Sequence, residues 1–157
     1  MQSAAPLFVF SPVLGVAAGA RVRNLVRMTP PATPSALERI GQIAIPVHDV
    51  PRAVAFYRDT LGLRFLFDVP PSMAFLECGG VRLMLTIPEG AHDHPSSILY
   101  FTVGDIGATY DELYAREVEF IDAPHVISRM GTTELWMAFF RDPDGNVMGL
   151  MQERRAG

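Results

Sequence analysis

One cysteine, Cys78, in 157 residues excludes an internal disulfide and fits a reducing, cytoplasmic compartment. No lysine-rich run is present and the net charge is -4, so the electrostatic footprint of a nucleic-acid binder is missing. Common catalytic signatures are missing as well: there is no GxSxG elbow, no phosphate-cradling glycine loop and no HExxH helix. The apolar stretch 4–20 has no basic segment before it and is interrupted by Pro12, with Arg21 and Arg23 following it, so it lacks the order of a secretory signal. It is also too short and broken to span a bilayer, and no membrane partner is expected. Residues 1–37 are therefore read as an extension and linker, disordered or partly spurious, with translation starting at Met28 as one possibility. A cleaved signal and a membrane anchor are the second and third readings. Prolines 30, 31 and 34 mark the linker into the domain.

What remains is rich in core-forming residues. Apolar side chains make up 49% of the chain and ten are Phe, enough for one domain or for two small modules sharing a core. The organising stretch is GQIAIPVHDVPRAVAFYRDTLGL, residues 41–63. Its β-branched run 43–47 suits a strand. Asp49 is placed to cap a following helix, with Pro51 in the first turn where no donor is needed. Val50, Ala53, Val54, Tyr57 and Leu61 recur at helical spacing, and Gly62 supplies a left-handed stop.

The same plan returns downstream. A shift of 56 lays Val47 on Val103, Asp49 on Asp105 and Val50 on Ile106; a shift of 55 lays Leu63 on Val118 and Phe65 on Phe120. A shift of 65 lays Gly80 on Gly145 and Leu85 on Leu150. Three overlaps in order indicate a duplication. Strands are expected at 64–67, 73–78 and 81–87, and again at 98–103, 118–121, 133–140 and 146–152, with loops at 88–95 and 122–132. The fold class is α+β: two βαβββ modules, 38–95 and 96–153, followed by a tail, 154–157. Eight strands are expected, with a helix on one face of each module and a core or ligand cavity on the other.

GQIAIPVHDVPRAVAFYRDTLGL and FFRDPDGNVMGLMQE, with VRLMLT and ILYFTVGDI between them, resemble the vicinal oxygen chelate superfamily of glyoxalases, bleomycin resistance proteins, epimerases and extradiol dioxygenases over about residues 40–153. The resemblance implies a concave eight-stranded mixed sheet with helices outside, a homodimer, and a divalent metal held by four residues on the inner face. Carried over, those four positions are Gln42, Met84, Ile98 and Gly149, and the duplication pairs the same residues. Only Gln42 offers an oxygen donor. Isoleucine and glycine side chains offer none, and a thioether is a poor ligand for hard or borderline ions. The expectation is no cofactor, with a divalent metal on unusual ligands as the alternative. His92 and His94 read as solvated loop residues, and His48 as a surface turn residue.

Strand alternation then assigns a cavity lining without a metal: Gln42 and Ala44, Arg82 and Met84, Ile98 and Tyr100, and Val147, Gly149 and Met151. It is apolar with three polar handles, Gln42, Arg82 and Tyr100, as suits a small, largely apolar organic ligand. A second group is His125, Glu134 and Trp136: His125 as a general base oriented by Glu134, and Trp136 stacking on a planar ligand or filling the core. Cys78 reads as a packed thiol. Three functions stay open. The first is a metal-free small-molecule binder of bleomycin-resistance type. The second is a metal-dependent lyase, isomerase or dioxygenase with unusual ligands. The third is a metal-free acid/base enzyme using His125 or Tyr100. Fold alone does not choose among them.

Overall fold

A computed structural model describes residues 37–90, 93 and 95–156. The expectations for residues 1–36, His92 and His94 lie outside the described residues. Strand β1 (Gln42–Pro46) leads to Asp49, whose extended backbone and side chain, accepting from the Arg52 amide at 2.9 Å, start helix α1 (Val50–Ala55). The helix widens into a π-turn over Phe56–Thr60, and Gly62, at φ 78°, turns the chain into β2 (Arg64–Val69). Strands β3 (Met73–Cys78) and β4 (Val81–Thr86) complete the first module.

The second module repeats the order with β5 (Leu99–Thr102) and α2 (Ile106–Ala115), capped by Asp105 on the Ala108 amide. Glu117, at φ 63°, takes the left-handed exit that Gly62 takes in the first copy. Then come β6 (Glu119–Phe120), β7 (His125–Met130), β8 (Thr133–Arg141) and β9 (Val147–Arg155).

The fold is α+β, with strand orders β1-β4-β3-β2 and β5-β9-β8-β6, and β7 beside β8. The two mixed sheets, of four and five strands, agree with the expected two-module plan, the second carrying one strand more than its four. One expectation needs correction. The segment 122–132, read as a loop, contains β7, which pairs with β8 further along the edge that β6 occupies. Residues 121–124 interrupt that edge, and Asp122 fills the gap by accepting from the Phe139 amide at 2.7 Å.

The duplication is written in the register. Ala44 lies beside Met84 in the parallel β1–β4 pair, and Tyr100 beside Gly149 in the parallel β5–β9 pair. These are the residue pairs that the shifts of 56 and 65 superpose. Alternation sends Ile45, Leu76, Leu83 and Leu85 of one sheet, and Ala138, Phe140, Met148 and Leu150 of the other, toward the helices. With Val50, Ala53, Tyr57, Ile106 and Leu113 they form a single core shared by both modules. Full burial of each large side chain there contributes about 1.5–3 kcal/mol before entropy is counted. Among the described residues no helix is long and apolar enough to cross a membrane.

The turn between β8 and β9 clasps the first module. Asp144, with its side chain 1% exposed, accepts from the His48 backbone amide at 2.9 Å and Arg52 Nη2 at 2.8 Å, and its Oδ1 lies 2.9 Å from His48 Nδ1. Asn146 Nδ2 donates to the Pro46 carbonyl at 2.9 Å. Burial pushes the Asp144 carboxyl up, but the bonds from His48 and the charge of Arg52 outweigh it and hold the group below the usual aspartate value. A depressed folded value means this contribution is complete above the unfolded pKa of about 3.9 and is lost as pH falls through the folded one. Asp144→Asn should therefore be less stable than the parent at pH 7 by about 1–2 kcal/mol. The gap should narrow as pH drops below about 4. Thermal melts at stepped pH test this; a gap constant from pH 7 to pH 3 counts against it.

Candidate functional site

The faces turned away from the shared core carry most of the residues that alternation assigns to a cavity. On the first sheet, Ala44, Met84, Phe75 and Phe67 stand side by side across all four strands. The neighbouring row is Gln42, Arg82, Glu77 and Arg64. A cleft of ≈ 410 Å³ opens beside them, lined by Ala44, Met73, Met84, Thr86 and the loop 87–89. That volume is within the range of small-ligand pockets.

The polar row is not uniformly paired. Glu77 accepts from the Gly80 amide at 2.6 Å and from Arg64 Nε at 3.2 Å, which together hold its carboxyl below the usual range. Arg82 lies over the rings of Phe75 and Phe67, 5.9 and 6.0 Å from their centroids. Those two rings stack on each other at 4.5 Å. The cradle of phenylalanines under Arg82 went unnoticed in the sequence; the signal was there in the β2–β3 pairing, which puts Phe67 opposite Phe75.

In the second module Ile98, just before β5, and Tyr100 on that strand are 44% and 45% exposed. Tyr100 leans over Gly149 so closely that a Cβ at 149 would meet its Cδ1 at 2.8 Å and Phe139 Cε1 at 3.4 Å. Glycine at 149 is thus the space into which the tyrosine ring packs. The sequence-derived set therefore divides: Gln42, Arg82 and Met84 belong to one sheet, and Tyr100 and Gly149 to the other, with Ile98 just before β5. The cleft at Met84 is lined by first-module residues and the loop that follows β4.

Trp136 takes the core-filling one of its two readings, and Glu134 and His125 are not brought together. Trp136 shares the face of Ala138 and Phe140 and packs against the core, opposite to the face of Phe139. Arg154 covers its ring at 3.7 Å, and its Nε1 donates to Glu134 at 2.9 Å. Glu134 also accepts from Arg129 Nε at 2.8 Å, and these two bonds hold its carboxyl below the usual range. Both oxygens of Glu134 are thus engaged elsewhere, so it does not orient His125. The His125 ring instead meets the Ala123 carbonyl at 2.9 Å, and β7 sets His125 opposite Met137, one residue out of phase with Trp136. Burial, then the charge of Glu77, pushes the Cys78 thiol up, away from thiolate chemistry at neutral pH.

The resemblance implies a divalent metal at Gln42, Met84, Ile98 and Gly149, and the donor chemistry does not fit it. The Gln42 amide nitrogen donates to Met84 Sδ at 3.4 Å, Ile98 has only carbon to offer, and Gly149 lies under a ring. Among the described residues no three His, Cys, Asp or Glu side chains gather in a way that would hold an ion.

Comparison with known proteins agrees with this architecture. Residues 39–150 match the family described as Glyoxalase/Bleomycin resistance protein/Dioxygenase superfamily. YraH of Bacillus subtilis is 29% identical over 124 residues, covering 70% of this chain and 94% of the relative. Among solved structures, TnmS3, an antibiotic binding protein from Streptomyces sp. CB03234, is 28% identical with a TM-score of 0.62, covering 76% of this chain and 99% of that one. The lactoylglutathione lyase of Agrobacterium tumefaciens shares the fold at 22% identity and a TM-score of 0.58, covering 74% and 95% of the two chains.

Proposed function

This chain belongs to the Glyoxalase/Bleomycin resistance protein/Dioxygenase superfamily, and from that premise we propose that it binds a small, largely apolar organic molecule on the outer sheet faces without a metal. The observation that carries this reading is the composition of the family's ligand positions. Where coordination needs several donor side chains, this chain has an amide bonded to a thioether, an isoleucine and a glycine packed under tyrosine. Such a surface gives dispersion and desolvation in place of Lewis acidity. Likeness to an antibiotic binding protein, TnmS3, supports sequestration as the use of such a site.

The partner completing the site is a second copy of the chain. The modules of one chain share their helix-side core, leaving Ile98, Tyr100, Phe67 and Val69 between 43% and 45% exposed on the faces opposite. Exposed apolar residues in such numbers on sheet faces mark an interaction surface. The test joins three measurements: mass in solution by light scattering, metal content by elemental analysis, and thermal shift against a panel of aromatic and antibiotic compounds with and without EDTA. The expected outcome is a dimer with less than about a tenth of an ion per chain, stabilised by at least one apolar compound to the same extent with EDTA present. Ligand at 100 times its dissociation constant raises stability by about 2.7 kcal/mol, which a melt resolves easily. A stoichiometric divalent ion lost on Gln42→Ala would overturn the metal-free reading.

A further inference from the structure

We infer that the ligand of the first-module face is an organic anion, an apolar body carrying a carboxylate, and that Arg82 selects it. The inference rests on the small-molecule reading above and specifies the charge of what that face takes. Two cations stand on this face of the sheet, and their surroundings differ. Arg64 is neutralised by Glu77, the one carboxylate of the row. Glu77 is the cross-strand neighbour of Arg82, yet its oxygens are turned to Arg64 and to the Gly80 amide. The Arg82 guanidinium is left without a hydrogen bond or ion pair among the described residues, resting on two stacked phenylalanine rings.

That arrangement limits the cation's freedom while leaving its donors open. Stacking on aromatic faces satisfies the plane of a guanidinium and leaves the N–H fork at its edge for an acceptor, and the fork fits a carboxylate in two parallel bonds. Its place relative to the cleft is favourable. Met84 follows Arg82 by two residues on the same face, a rise of about 7 Å. Phe75, one of the rings under the guanidinium, is the cross-strand neighbour of Met84, which lines the cleft. A molecule lying with its apolar part on Met73 and Met84 therefore brings a terminal carboxylate to the free edge of Arg82. The row offers no second unpaired charge, and the one carboxylate lining the cleft, Glu89, stands beyond Thr86 in the loop after β4, so the carboxylate end of the ligand is assigned to Arg82.

Matched acid and amide pairs test the assignment, because the two members differ in charge and hardly in shape. Calorimetric titrations of the full-length protein would use the carboxylic acids and primary carboxamides of naphthalene, biphenyl and a dodecyl chain at pH 7.5. For the pair that binds best, the acid is expected to bind at least tenfold more tightly than the amide. In Arg82→Met, which keeps a long stem over the rings, the preference for the acid should disappear, the acid losing more affinity than the amide. Arg82→Lys, which restores a point charge without the fork, should recover part of the preference and guards against a folding defect in the methionine variant. Equal affinities in the parent protein, or a preference that survives Arg82→Met, would overturn this inference and leave the small-molecule reading standing. If none of the six compounds binds, the inference and the reading beneath it both fall.

Discussion

Replacing Asp142 with alanine is expected to lower the unfolding free energy by about 3–5 kcal/mol. The side chain is buried, and it accepts four hydrogen bonds: from Tyr57 Oη at 2.8 Å, from Asn146 Nδ2 at 2.8 Å, and from the backbone amides of Asp144 and Asn146, both at 2.9 Å. Alanine would leave the Tyr57 hydroxyl, on a residue with no exposed surface, without its acceptor in the middle of the shared core. Burial, then the charge of Asp142 and its hydrogen bond, pushes the Tyr57 phenol up, so it remains a donor throughout the working pH range. Tyr57→Phe removes the donor instead and leaves a carboxylate that keeps three other partners, so a smaller loss of about 1–2 kcal/mol is expected. Urea melts of the two single variants and the double variant measure both losses and their coupling. The double variant should lie close to Asp142→Ala alone, because the aspartate contact is the interaction both remove. Additive losses would show that the two residues stabilise the fold independently.

The contrast between these two residues shows what the sequence could and could not reveal. DPDGN was legible as a turn and Tyr57 as a core position at helical spacing, and both are correct as far as they go. Their bond joins residues 85 positions apart and depends on how the second module lies against the first, which periodicity does not encode. Register was more accessible, since a duplicated unit constrains itself. The offsets that aligned the two cap aspartates and a pair of turn glycines also aligned Ala44–Met84 with Tyr100–Gly149. Alternation decided which residues share a face, and Gln42, Arg82 and Met84 do; for Trp136 the sequence left ligand stacking and core filling open, and its parity with Ala138 and Phe140 puts it on the core side. Strand β7 was missed because Ser128 and Arg129 make it polar and a bulge between Val126 and Ser128 breaks its alternation. The π-turn after α1 left no trace in the apolar spacing, since the stripe from Val50 to Leu61 reads equally well as plain helix.

Gly149→Ala is the second substitution with a large expected effect, and it isolates packing because the backbone here is not in the left-handed region that only glycine tolerates. The added Cβ would stand 2.8 Å from Tyr100 Cδ1 and 3.1 Å from Cε1, closer than side-chain carbons approach, so the ring must swing outward. Overpacking of this kind costs about 1–3 kcal/mol, and since Tyr100 is half exposed and free to yield on its outer side, the lower half of that range is expected. The edge-to-face contact of Tyr100 with Phe139, at 5.9 Å between ring centroids, would be lost in the same movement. Tyr100→Ala removes the obstacle. The double variant should therefore be more stable than the sum of the single losses predicts, by about 1 kcal/mol in a double-mutant cycle followed by urea melts. Affinity for an apolar ligand should fall in Gly149→Ala and also in Tyr100→Ala, because both disturb the same exposed aromatic surface. Strictly additive stabilities would mean that the ring does not hold the glycine in place. Position 149 would then be open to a larger side chain without rearrangement, and the packing reason for glycine beneath Tyr100 would be gone.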